Sequence, residues 1–138
     1  MKNETIILFG AHSGIAKAYI EELDKGVKPL QIICISRSSN ESDIYKNLKL
    51  IHFETDYSKE SLTNITQKIN LTNSFVSQVI IFNGQLHTNN KMPERKLSEL
   101  EYDYFNELMK SNAFIPMACV SSVIPLLDKK EKCTIVAL

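Results

Sequence analysis

Tryptophan is absent, and glycine and proline occur only four times each in 138 residues. So few chain-breakers exclude a collagenous, Pro-rich or Gly/Ser-linker protein. Cysteine is also scarce: Cys34, Cys119 and Cys133 are odd in number and form no C-x-x-C pair. This argues against a disulfide framework or a zinc ribbon, and their apolar surroundings suit reduced, buried thiols. No charge excess of either sign exists, since 16 basic residues balance 16 acidic ones. With no net field to attract nucleic acid or an anionic membrane, neither is an expected partner. The N-terminal apolar run, Ile6 to Phe9, is too short for a signal-peptide core or a spanning helix, and the expectation is a cytoplasmic protein. His12, His52 and His87 are far apart, with no carboxylate or cysteine at ligand spacing, so no metal site is expected.

What is present is enough apolar residue, 43% of the chain, to build one core in one domain. Thr5–Phe9 is a short, β-branched apolar run ending at Gly10. Continuous rather than alternating apolarity is what a strand buried on both faces requires. Leu30–Ile35, Leu48–Phe53, Phe75–Phe82 and Cys133–Leu138 repeat that pattern. Between these runs the period changes to that of helices. Ser13–Lys25 carries Ile15, Ala16, Tyr19, Ile20 and Leu23 on one face, with Gly26 as a stop, and Ser58–Asn70 has a serine cap ahead of Leu62, Ile65 and Ile69. Leu97–Met109 reads as a further helix, and the pattern resumes over Ala113–Leu127, where Pro116 falls near a first turn or makes a kink. Tyr102, Tyr104 and Phe105 read as a helix face packed on the sheet or on a second subunit. Alternating strands and helices imply right-handed crossovers and a doubly wound, Rossmann-like parallel α/β sheet of about five strands in the order 3-2-1-4-5. Ligands of such sheets bind beyond the strands' carboxyl ends, here after Phe9, Ile35 and Phe82.

Gly10-Ala11-His12-Ser13-Gly14-Ile15-Ala16 connects the first strand to the first helix. Gly10 suits the tight turn, Gly14 lets backbone approach a pyrophosphate, and the helix start near Ser13 offers free N–H groups to an anion. An α/β domain whose glycines serve only the turn remains the alternative. This segment resembles the short-chain dehydrogenase/reductase motif T-G-x3-G-x-G, with Phe9 in place of the threonine and Ala16 in place of the last glycine. Further matches stand in register. Asp56, after the third strand, is similar to the family's adenine-contacting aspartate, although it also suits the start of the Ser58 helix. Asn83-Gly84 is similar to the end of N-N-A-G, with Ile81 and Phe82 replacing the two asparagines. Ser111-Asn112-Ala113 resembles the segment whose asparagine belongs to the catalytic tetrad and holds a water in the proton relay. Gly84 to His87, Pro93-Glu94 and Pro116 look most like the C-factor-related branch.

The resemblance implies a nicotinamide dinucleotide as cofactor. The second strand ends Ile35-Ser36-Arg37-Ser38-Ser39, with no carboxylate to accept from an adenosine ribose. Arg37 suits a charge-assisted pair with a 2′-phosphate, the serine hydroxyls add donors, and His12 stands where NADP-dependent relatives often carry a basic residue. NADP(H) is therefore favoured over NAD(H). Gly10, His12, Ser13, Gly14 and Ile15 are expected to hold pyrophosphate, Ser36, Arg37 and Ser38 the 2′-phosphate, and Asp56 the adenine, with Asn83 and Gly84 also counted as cofactor-binding.

Relatives that transfer hydride between cofactor and a carbonyl or alcohol use a serine and a Tyr-x3-Lys beyond the fifth strand. This sequence ends at Leu138, within or just after that strand; Tyr45 to Lys49 matches the spacing but lies between the second and third strands, on the adenine side. Residues 1–138 are thus expected to be the cofactor-binding part of an oxidoreductase, inactive alone, with Asn112 its one catalytic-tetrad member and the substrate unspecified. An apolar edge at the fifth strand is expected to promote self-association. The alternative is a non-catalytic nucleotide-binding or signalling module.

Overall fold

A computed structural model describes residues 1–28, 30–38, 44–85 and 96–138. His87, Pro93 and Glu94 lie outside the described residues. Five strands, β1 (Asn3–Phe9), β2 (Leu30–Ser36), β3 (Leu48–Glu54), β4 (Ser74–Ile81) and β5 (Thr134–Ala137), form one parallel sheet in the order β3-β2-β1-β4-β5. This is the expected doubly wound arrangement.

β1 is the middle strand of the five, paired with β2 and β4 and in apolar contact on both faces. Ile7 and Phe9 face one layer with Ile33, Ile35, Val79 and Ile81, while Ile6 and Leu8 face the other with Ile32, Cys34 and Ile80. The first layer is closed by α2 (Lys59–Lys68), through Leu62 and Ile65, and by α4 (Ile115–Val123), through Ile115, Cys119 and Val123. The second is closed by α1 (Gly14–Asp24), through Ala16 and Ile20. That two-sided burial explains the unbroken apolar runs. β5 lies at the sheet edge with Ile135 and Val136 exposed.

Two expectations about the helices change. The segment read as one helix from Leu97 is a 3-10 turn, Leu97–Glu99, followed by α3 (Tyr102–Met109). Leu97 and Leu100 are exposed, so their helical spacing pays no packing dividend. Of the three aromatics assigned to a packed face, Tyr104 is buried whereas Tyr102 and Phe105 are exposed. From α3 the chain continues into α4 through a π-helical turn, Lys110–Phe114, closed by a hydrogen bond from the Ile115 N–H to the Lys110 carbonyl. Pro116 supplies the physical reason: it has no N–H to donate to the Asn112 carbonyl four residues back.

Cys34 and Cys119 are free and buried on opposite faces of the sheet, and burial pushes each thiol from 9.0 up to about 12. The neutral thiol is thereby favoured in the fold, so their contribution to stability is complete below pH 9 and is lost as pH rises toward 12. In urea titrations at pH 8, 9.5 and 10.5, stability should fall with pH. The fall should be shallower for the Cys34→Ala, Cys119→Ala double variant than for the wild type.

Candidate functional site

The carboxyl ends of β1, β2 and β4 leave an open cavity of about 330 Å³. Its position follows from the sheet. Because β2 and β4 are the neighbours of β1, their exit loops diverge above it, and the Gly10 turn forms the floor between them.

Gly10 adopts φ +68°, and a Cβ there would stand 3.1 Å from Asn83 N, Asn83 Oδ1 and the Phe82 carbonyl carbon. Both the turn and this close approach require glycine. Its N–H donates to the Ile35 carbonyl at 2.9 Å and to the Tyr57 hydroxyl at 3.2 Å. Ser13 caps α1, its hydroxyl accepting from the Ala16 N–H at 3.1 Å, while the Lys17 N–H reaches the Ser13 carbonyl at 3.0 Å. No acceptor among the described residues is paired with the Gly14 or Ile15 N–H. Gly14 has nothing within 4 Å of its Cβ position. Two unpaired donors stand on the first turn of α1, at residues outside the cavity's own lining.

At the end of β2 the Ser36 hydroxyl donates to the Ser38 carbonyl at 2.5 Å. Its proton is thus engaged within its own loop. Arg37 and Ser38 are exposed. The guanidinium of Arg37 lies over the Tyr57 ring, 5.7 Å from its centroid.

At the end of β4 the Asn112 side chain clamps the exit loop. Its Oδ1 accepts from the Gln85 N–H and its Nδ2 donates to the Gln85 carbonyl, both at 2.6 Å, while Ser111 Oγ lies 3.1 Å from Gln85 Oε1. A Cβ on Gly84 would stand 3.4 Å from Asn112 Oδ1. Both ends of its amide are thus engaged.

The cavity thus gathers Gly10, His12, Ser13, Ser36, Arg37, Ser38, Asn83 and Gly84. Ile15 is exposed on the first turn of α1, and Asn112 stands behind Gln85 rather than on the cavity wall. Asp56 borders a separate surface hollow with Arg37, Glu54, Thr55 and Ser61. Its Oδ1 accepts from the Ser58 N–H at 2.9 Å, and hydrogen bonding to Ser58 holds the carboxyl below its ordinary pKa. The N-cap of α2 is Ser58 itself, with Asp56 bracing it. Tyr45 packs in the α1-side layer and Lys49 is exposed on β3, so this Tyr-x3-Lys spacing does not line the cavity. Tyr57, Phe82, Gln85, Ser111 and Ile115 line it without having been singled out in the sequence.

No family profile and no curated protein matches the sequence. Among solved structures, the chain superimposes on a short-chain dehydrogenase/reductase from Saccharomyces cerevisiae with a TM-score of 0.78 and 18% identity, covering 99% of this chain and 53% of that one. ElxO with NADP bound gives a TM-score of 0.74 at 18% identity, over 99% and 55% of the two chains. An NADH-dependent reductase complexed with NAD gives 0.71 at 13% identity, over 99% and 59%. The fold is therefore the one these oxidoreductases share, and the chain spans between 53% and 59% of the length of these three.

Gly10→Ala should cost about 1–3 kcal/mol, because a residue with a Cβ is strained at this φ and meets three atoms. Gly14→Ala, on a helix with room around it, should leave stability at or above that of the wild type. Urea denaturation of the two variants checks the contrast.

Proposed function

We propose that this chain is the cofactor-binding part of an NADP(H)-dependent short-chain oxidoreductase, which transfers hydride between the nicotinamide and a small carbonyl or alcohol. The observation that carries the reading is one cavity lined by the Gly10 turn, by Ser13 at the N-terminus of α1 and by the Arg37–Ser38 loop, with the Gly14 and Ile15 N–H groups unpaired among the described residues next to Ser13. Each part suits a different piece of one ligand. The Gly14 and Ile15 N–H groups, together with the positive end of α1, suit a pyrophosphate. Arg37 brings a planar cation to the end of β2, where a 2′-phosphate would lie beside the adenosine ribose, and His12 and Ser38 border the same space. Ser36 shapes that loop from within, and Asp56 braces its far wall.

When bound, the nicotinamide supplies the hydride. This chain would bind and orient it: the Asn112 clamp on Gln85 fixes the exit loop of β4, and Asn112 itself stands where the resemblance puts the residue that holds a water for a proton relay. Turnover by this chain alone is not expected.

The reading is tested by isothermal titration of NADP⁺ and NAD⁺ into the wild type and Arg37→Ala. The wild type should bind NADP⁺ more tightly. Arg37→Ala should weaken NADP⁺ by about 10–100-fold, the worth of a charge-assisted hydrogen bond, and leave NAD⁺ nearly unchanged. Equal affinity of the wild type for both would overturn the NADP assignment, and absence of binding to either would overturn the dinucleotide reading.

A further inference from the structure

Tyr57 has φ 61°, a left-handed backbone that a bulky aromatic residue rarely adopts. The local chain enforces it: Thr55 Oγ1 accepts from the Tyr57 N–H, and Asp56 Oδ1 from the Ser58 N–H, each at 2.9 Å. Such strain persists only where the surroundings over-determine it. Here they do, because the ring is 7% exposed and belongs to the core layer closed by α2 and α4. Its position is set by packing. From that position it makes two contacts with the crevice: the hydroxyl accepts from the Gly10 N–H at 3.2 Å, and the Arg37 guanidinium lies over the ring, 5.7 Å from its centroid.

The two contacts differ in what they can control. The Gly10 N–H also donates to the Ile35 carbonyl at the shorter distance of 2.9 Å, so the hydroxyl is a second brace on a turn already held. Arg37 is exposed, and its long side chain has much rotamer freedom to lose on gripping an anion. The bond from the Ser36 hydroxyl to the Ser38 carbonyl holds the backbone on either side of Arg37 without directing its guanidinium. The ring does direct it, since the negative face of a π-system attracts a cation set over it and this ring is fixed in the core. Arg37 and Tyr57 both line the cavity, so the cation is ordered at the cavity wall before any ligand arrives, which lowers the cost of binding one.

We propose that Tyr57 is a positioning residue for cofactor choice: its ring holds the Arg37 guanidinium in place for a 2′-phosphate, and so contributes to a preference for NADP(H) over NAD(H). The inference rests on the NADP reading above and acts through Arg37, with no ligand contact assigned to Tyr57. The two parts of the side chain then have separable effects. The ring concerns only the cofactor that carries the extra phosphate, whereas the hydroxyl, through Gly10, concerns a turn that both cofactors share.

The test titrates NADP⁺ and NAD⁺ into the 138-residue wild type, Tyr57→Leu, Tyr57→Phe, Arg37→Ala and the Arg37→Ala, Tyr57→Leu double variant, and reads the ratio of the two Kd values. Tyr57→Leu removes the ring and should lower the preference for NADP⁺ about two- to fivefold, the scale of an exposed cation–π contact. Tyr57→Phe keeps the ring and should keep the wild-type ratio, even if both affinities fall together. With Arg37 already replaced by alanine, Tyr57→Leu should not move the ratio further. A ring that merely supports the fold would weaken both cofactors alike. An unchanged or raised preference in Tyr57→Leu, or a lost one in Tyr57→Phe, would therefore overturn the inference and leave the NADP reading standing. If Tyr57→Leu does not fold, proton NMR of the free wild type decides: the Arg37 Hδ resonances should lie upfield of their random-coil position because of the ring current, and random-coil shifts would overturn the inference. A wild type that binds both cofactors equally, or neither, defeats the NADP reading and this inference with it.

Discussion

The structure depends on the burial of β1 from both faces and both edges. A strand so enclosed satisfies its backbone only by pairing with β2 and β4, and it packs only if nearly every side chain is apolar. It must then leave the sheet abruptly, since α1 has to return over one face. The exit is Gly10, whose positive φ makes the turn and whose missing side chain lets Asn83 and Phe82 come close. The core thus prescribes the site. The same constraint that hides β1 opens a cavity at its carboxyl end and leaves free N–H groups of α1 beside it.

Around that turn the polar contacts form a frame rather than a set of independent groups. Tyr57 links the loops after β3 and β1 and carries Arg37 on its ring. Asn112 spends its whole side-chain amide on the Gln85 backbone. Ser36 turns inward to hold the Arg37 loop. A ligand therefore meets groups whose positions are already fixed, which lowers the entropy cost of binding. The exposed cation and the free helix donors are the parts left to face it.

Much of this was legible in the sequence. Ile6–Phe9 and Ile32–Ile35 are unbroken apolar runs, and only burial on two faces explains such runs, so strand identity and order followed from them. The glycine turn was legible because it stands between a strand and a helix. Periodicity misled at Leu97 and Leu100, whose spacing fits a helix although both side chains meet solvent. That the Ser36 hydroxyl bonds to its own loop was not legible, because a sequence does not show which way a hydroxyl turns. Tyr57 was missed because its importance arises from a left-handed backbone and from contacts with two distant segments, at Gly10 and Arg37. Thr55-Asp56-Tyr57-Ser58 did hold a signal, since short oxygen-bearing side chains that bond their own backbone favour unusual turns and here flank an aromatic at a strand end.

The central claim, that a dinucleotide lies across the carboxyl ends of β1, β2 and β4, is tested most directly by amide chemical-shift mapping of the ¹⁵N-labelled chain during titration with NADP⁺. The account predicts saturable shifts concentrated at Gly10, Gly14, Ile15, Ser38, Tyr57 and Asn83. Shifts confined to β5 and the exposed side of α4, or none at millimolar cofactor, would contradict it.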